Sequence, residues 1–208
     1  MKHSHWLKLV ESLNIPKLSH PPKIDGILEN PVWEDEALKI VDFVQLTPKE
    51  KGTPSEKTIA YIGYDNKNLY FAFRCYDSEP KKIRSSVTNR DNIFDDDWIL
   101  IFIDTFNEKR RAYSFFLNPI GIQMDGIRTE EGGSDNTDIS WDTVFYSDGK
   151  IDKEGFTIEM AIPFKSFRFP DREDKIWGIS IARTIARKGE IIVWPSMSKE
   201  DSIVEGDC

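Results

Sequence analysis

Asp91-Asn-Ile-Phe-Asp-Asp-Asp-Trp-Ile-Leu-Ile-Phe-Ile-Asp104 joins two unlike halves. Trp98 to Ile103 are apolar without a break and rich in β-branched and aromatic types. A run that short, closed off at once by Asp104-Thr-Phe-Asn107, predicts a strand buried on both faces rather than a helix. Ahead of it stand Arg90, Phe94 and three consecutive aspartates, Asp95, Asp96 and Asp97. A central strand therefore leaves the core through a polar loop that carries an aromatic ring. Loops held on rigid strands are where binding groups collect.

The remaining strands follow from the same reading. Ile40–Leu46 predicts one strand. Thr58–Tyr64 and Leu69–Tyr76, joined by Asp65-Asn-Lys-Asn68, predict a hairpin. Ala112–Asn118 pairs naturally with Ile99–Ile103 as a second hairpin. Trp141–Tyr146, Gly155–Ile162, Trp177–Arg183 and Glu190–Trp194 supply further strands, with Ser147-Asp-Gly149 as a turn. Thr129–Ser140 is acidic, glycine-bearing and without periodicity, which predicts a mobile loop. About ten short strands separated by turn signals, with almost no helix, predict an all-β antiparallel β-sandwich of jelly-roll or immunoglobulin-like type. Trp6, Leu9, Val10 and Leu13 at i, i+3, i+4 and i+7 add a short N-terminal helix, residues 1–20 forming a leader and 21–208 one domain. Pro31 opens a further helical turn with Trp33 as a core anchor. The polar tail after Trp194 stops without a closing strand, so the native protein is expected to continue beyond residue 208.

Composition limits the partners. The 208 residues carry 36 acidic and 28 basic side chains, for a net charge of −8. An acidic surface argues against nucleic acid as the main partner. Cys75 and Cys208 show neither disulfide nor zinc spacing, and Cys75 reads as a small buried hydrophobe. No stretch has the length of a membrane helix, and no signal peptide is visible. His3, His5 and His20 all lie in the leader, which leaves no histidine for catalysis in the core. With no serine elbow, no phosphate loop and no singled-out carboxylate pair, the chain is expected not to be an enzyme.

An ordered set of motifs carries a resemblance. Ile24-Asp-Gly-Ile-Leu28 and Pro31-Val-Trp33 come first, then Tyr64-Asp65 and Asn68-Leu-Tyr-Phe71. Asp95-Asp-Asp97, Ile101-Phe-Ile-Asp104, Ala112-Tyr113, Phe116, Asn118-Pro-Ile-Gly121, Asp125 and Trp141-Asp142 follow. Gly155-Phe-Thr-Ile-Glu159, Ile162-Pro-Phe164 and Trp177-Gly178 close it. Over roughly residues 20–194 the chain resembles a family 9 carbohydrate-binding module, of the kind placed ahead of a membrane barrel in bacterial outer-membrane proteins. The resemblance implies a sugar-binding β-sandwich, an oligo- or polysaccharide partner, an extracytoplasmic location in the periplasm or outer membrane, and a C-terminal membrane barrel as a further partner. Sugar-binding members clamp a glycan end between two tryptophans. Phe94 stands at the position of the first, and Trp194 is the nearest candidate for the second. Those members usually carry an acidic residue where this chain has Leu100. Some members carry structural calcium, which makes the aspartate triplet a candidate ligand set.

Sugar recognition needs aromatic faces against C–H groups and planar polar groups for hydroxyls. Phe94, Trp141 and Trp194 are the candidate faces. Arg90, Asn118, Asp125 and Arg128, in turns near strand ends, are the candidate hydroxyl partners. For Trp141 and Trp194 the competing reading is core burial. For the triplet it is a solvated strand start, one aspartate capping backbone or pairing with Arg90, because adjacent strand residues point to opposite faces. The leading expectation is a non-catalytic carbohydrate-binding module. Its rival is an interaction domain that binds no sugar.

Overall fold

The computed structural model describes residues 12–93, 95–131, 134–172 and 174–196, with the side chains of 130, 131 and 134–136 outside that description. In chain order its strands are β1 Leu38–Ile40, β2 Val44–Thr47, β3 Thr58–Tyr64, β4 Asn68–Tyr76, β5 Trp98–Asp104 and β6 Arg111–Leu117. They continue with β7 Gln123–Glu131, β8 Ser134–Asp138, β9 Tyr146–Asp152, β10 Gly155–Pro163, β11 Gly178–Ile185 and β12 Glu190–Trp194. A five-stranded sheet runs β1-β3-β4-β10-β9, and a seven-stranded sheet runs β2-β12-β11-β5-β6-β7-β8. Every pair in both is antiparallel. The two sheets form a β-sandwich.

β5 is the middle strand of its sheet, paired with β11 on one side and β6 on the other. Its alternation explains the unbroken apolar run. Ile99, Ile101 and Ile103 face inward onto Phe71, Phe73 and Phe156 of the opposite sheet. Leu100 and Phe102 face outward among Leu46, Ala182 and Val193. Both faces of the strand are buried, as a continuous apolar run requires.

Four expectations are corrected. Ile40–Leu46 is not one strand: β1 and β2 lie in different sheets, and the chain crosses between layers at Val41–Phe43. Residues 129–140 are not a structureless loop, because β7 reaches Glu131 and pairs with β8. β8 is an edge strand, and an edge needs no apolar face, so polar composition hid it. Residues 141–145 carry no strand, which begins only at Tyr146. Ser147-Asp-Gly149 lies within β9 rather than in a turn. Gly149 is there for close approach: a Cβ on it would lie 2.6 Å from the carbonyl oxygen of Pro119. The expected helix over residues 4–13 lies outside the described residues but for its last two. A short α-helix does form at Pro31–Asp35, capped by the Asn30 side chain, which accepts from the Val32 N–H at 3.1 Å.

The segment before that helix is stapled to the five-stranded sheet. Glu159 of β10 is fully buried and accepts from the Asp25 and Gly26 backbone N–H groups at 2.9 Å each, and from Trp33 Nε1 at 2.7 Å. The Ile-Asp-Gly and Trp motifs thus serve one buried carboxylate. Among the described residues no helix is long and apolar enough to cross a membrane.

Candidate functional site

Two of the three aspartates ahead of β5 are structural. Asp95 is exposed, while Asp96 and Asp97 are buried. Asp96 accepts from the Ser86 N–H and hydroxyl at 2.8 Å and from Asn118 Nδ2 at 2.9 Å. Asp97 accepts from the N–H groups of Arg84 at 2.7 Å and Ala186 at 2.9 Å. Burial pushes the Asp97 carboxyl above its ordinary range, against those two donors and the Arg183 charge. Of the expectation for this strand start, the solvated setting and the Arg90 pairing are corrected, while the backbone capping is what forms: Asp96 and Asp97 are buried and tie the 84–86 segment and Ala186, just after β11, to the start of β5. The Asp96 and Asp97 carboxylates do not fit a calcium ion, because their oxygens already face N–H and O–H hydrogens. Among the described residues no group of three or more acidic, cysteine or histidine side chains is placed to hold a metal.

Asn118 belongs to the same network. It is fully buried, its amide donates to Ser86 O and Asp96, and its carbonyl accepts from the Ile120 and Ile122 N–H groups. With both ends of the amide engaged, it shapes the turn after β6 instead of meeting sugar hydroxyls. Arg128 is 4% exposed and lies on the outer face of the seven-stranded sheet, its guanidinium 5.8 Å from the Phe102 ring centre. Trp194, half-buried, packs against the main core from β12. β12 lies three strand spacings from β6, roughly 14 Å. Phe94 lies outside the described residues. Leu100 is 2% exposed in the apolar outer cluster.

Two of the expected residues, Arg90 and Asp125, do come together. Arg90 Nη2 pairs with the buried Asp125 of β7 and lies 2.7 Å from Asp142. It also donates to Thr143 O at 3.0 Å, and the Thr143 N–H donates to Asp125 at 2.8 Å. The guanidinium covers the Phe145 ring at 5.4 Å. Burial raises the Asp125 carboxyl, and Arg90 and the Thr143 N–H oppose that rise. The two charged groups therefore pin residues 142–145, a segment with no strand of its own. Arg90 and Asp125 thus fix the segment that follows Trp141 in the chain.

Trp141 is half-buried, its ring 5.0 Å from Tyr113 and 6.3 Å from Phe115. Phe167 packs edge-on to Tyr113 at 5.3 Å and to Trp177 at 5.4 Å, completing an aromatic mount at one end of the sandwich. A cavity of about 270 Å³ opens beside it, lined by Trp141, Tyr113, Phe167, Ser166, Arg111, Lys165 and Arg168. The loop that supplies four of these is fixed by backbone bonds. Arg168 N–H donates to Tyr113 Oη at 3.0 Å, Thr105 Oγ1 donates to Arg168 O at 2.6 Å, and Ser166 Oγ donates to Val144 O at 2.9 Å. A ring held by rings and a rim held by hydrogen bonds is a preorganised surface.

On the other side of the same segment lies a shallower groove of about 480 Å³. Tyr70, Asn68, Gln123, Phe145, the exposed Tyr146 and Ser147 line it. Gln123 Nε2 donates to Phe145 O at 3.1 Å and to Ser147 Oγ at 2.8 Å, so this wall too is fixed.

Sequence reasoning missed the loop residues Lys165, Ser166 and Arg168. The signal was present in Phe164-Lys-Ser-Phe-Arg-Phe169, where rings at 164, 167 and 169 alternate with polar or basic residues that stay outside. It also missed Arg111 at the start of β6, which nothing in the local sequence marks.

Comparison with known proteins agrees with this architecture. The family model for carbohydrate family 9 binding domain-like proteins matches residues 24–191. A family 9 carbohydrate-binding module from Caldicellulosiruptor kristjanssonii, solved with cellotriose, superposes with TM-score 0.57 at 16% identity, covering 84% of this chain and 80% of its own. The same organism's module solved with glucose gives TM-score 0.54 at 16% identity, covering 85% and 83%. A Bacteroides uniformis structure described as a candidate carbohydrate-binding protein gives TM-score 0.62 at 11% identity, covering 88% of each chain. At such identities these structures show the fold. No curated protein matches this chain significantly.

Proposed function

Since the chain belongs to the carbohydrate family 9 binding domain-like family, we propose that it is a non-catalytic module that binds glycans at the Trp141 cavity. The family match over residues 24–191 carries the reading. The geometry supports it: a half-buried tryptophan packed on Tyr113 and Phe115 and lining a cavity is the kind of apolar ring a pyranose stacks on. Ser166 and Tyr113, whose hydroxyls help fix the loop, line the same cavity. Hydrolysis of a glycosidic bond needs two carboxyl groups across the scissile bond. None of the side chains lining this cavity is a carboxylate, and the nearby Asp125 and Asp142 are spent on Arg90. Binding without turnover is the chemistry such a site can do.

The proposed partner is an oligo- or polysaccharide met outside the cytoplasm, next to a membrane barrel that follows in the chain. Calorimetric titration with soluble oligosaccharides tests the reading. Heat with at least one glycan, lost in Trp141→Ala, supports it. A second reading, an interaction domain that binds no sugar, draws on the half-buried Val44, Trp98, Phe116 and Ile191 that pack over the outer apolar cluster of the seven-stranded sheet. Absence of heat with every glycan favours that reading.

A further inference from the structure

The charge around the Trp141 cavity has the opposite sign to the chain as a whole. Arg111, Lys165 and Arg168 all line it, all three are exposed, and none forms an ion pair or side-chain hydrogen bond among the described residues. Three other arginines are committed to acids: Arg74 to Asp152 and Glu154, Arg90 to Asp125 and Asp142, and Arg187 to Asp77 and Glu56. Asp142, the acid next to Trp141 in sequence, is taken up by Arg90. In a chain of net charge −8, three unpaired cations around one tryptophan form a local anion trap. Charges beyond about 8 Å are screened at physiological salt, so the near field outweighs the distant acidic surface.

Resting on the glycan-binding reading above, we propose that the preferred ligands are anionic saccharides, with a ring stacked on Trp141 and its carboxylate or sulfate held by Lys165, Arg168 and Arg111. The cavity volume, about 270 Å³, lies just under the usual range of small-molecule sites, roughly 300–1,000 Å³. It therefore suits a short contact with one end or one residue of the glycan. Two arginines offer planar donors that match a carboxylate or sulfate, and the lysine adds a point charge.

The test titrates the protein with an oligogalacturonate, a sulfated oligosaccharide, a neutral cello-oligosaccharide of equal length and a single-stranded oligonucleotide. Each is run at about 0.1 M and about 1 M salt, where the screening length falls from roughly 10 to 3 Å. The expected result is that one or both acidic sugars bind more tightly than the neutral one, and that the preference shrinks at high salt. The two acidic probes distinguish uronate from sulfate. Lys165→Ala/Arg168→Ala weakens acidic-sugar binding about tenfold and spares the neutral sugar. Lys153→Glu, which changes the net charge on a distant exposed turn, leaves the preference in place. Equal, salt-insensitive binding of acidic and neutral sugars overturns the charge preference and keeps the glycan reading. Equally tight binding of the oligonucleotide overturns the assignment to sugars. No binding of any saccharide overturns the underlying reading itself.

Discussion

Replacing Glu159 by leucine removes the acceptor for three buried donors, the N–H groups of Asp25 and Gly26 and Trp33 Nε1. Each donor left unsatisfied costs about 1–3 kcal/mol, so the three together cost about 5 kcal/mol. Burial already disfavours the Glu159 charge and raises its carboxyl above the ordinary 4.5. Removing that buried charge offsets part of the cost, and the net expected loss is about 4 kcal/mol. Glutamine keeps one carbonyl oxygen where Oε2 now takes both backbone donors, and sets its amide against Trp33 Nε1. Only one bond is lost, at about 1–2 kcal/mol. Trp33→Phe combined with Glu159→Gln should therefore cost less than the sum of the two single changes. Guanidinium unfolding of these variants beside the wild type, read by fluorescence and circular dichroism, measures the differences. A leucine variant within about 1 kcal/mol of wild type, or a glutamine variant as damaged as the leucine one, would refute the staple. The pH dependence gives a further sign. A carboxyl raised on folding binds its proton more firmly in the native state, so its contribution to stability declines as pH rises above 4.5. Glutamine removes that decline.

Glu56 has the opposite sign. Burial opposes ionisation, but bonds from Lys188, Ser78 and Arg187 overcome it and take the carboxyl down to about 2. Its stabilisation, at most about 3 kcal/mol, is present above pH 4.5 and is lost as pH falls toward 2; thermal melts across that range should show a shallower acid loss in Glu56→Gln. Arg90→Ala leaves the buried Asp125 without its cation and should cost about 2 kcal/mol, with weaker glycan binding because residues 142–145 lose their pin; unchanged affinity in a folded variant would show that Trp141 is held by its ring contacts alone. Leu100→Glu buries a charge in the outer apolar cluster and should cost more than about 3 kcal/mol in chemical denaturation, without a gain in sugar binding. A chelator should leave the melting temperature unchanged, since Asp96 and Asp97 face hydrogen donors; a drop on chelation would mean that a metal contributes to the fold.

The sequence was most readable where one force acts alone. β5 announced itself because both its faces are buried, and the two hairpins because turn residues separate apolar runs. It was misleading where a local signal served a different purpose. Trp141-Asp-Thr-Val-Phe-Tyr146 has the composition of a strand, yet Arg90 and Asp125, distant in sequence, take up its backbone groups and hold it off the sheet. Gly149 read as a turn glycine, but it admits the backbone of residues 119–121 against a strand. For the site, Arg90, Asp125 and Trp141 were visible one by one, though only Trp141 faces the cavity. Asn118 and the aspartate triplet looked like ligand groups because polar side chains at a strand start do, and a sequence does not show that Ser86, Arg84 and Ala186 reach back to satisfy them. The cationic rim was hidden for the same reason: Arg111 and Arg168 are 57 residues apart, and they come to one cavity because the Arg168 N–H is bonded to the Tyr113 hydroxyl of β6.

The measurement closest to the central claim is a calorimetric titration of the wild type and Trp141→Ala with soluble neutral and acidic oligosaccharides, alongside a melting curve of each protein. Binding of at least one glycan by the wild type, weakened at least about tenfold in a Trp141→Ala protein that still melts cooperatively, is the predicted result. Undiminished binding by Trp141→Ala would place the glycan elsewhere, and no heat from the wild type with any saccharide would contradict the account.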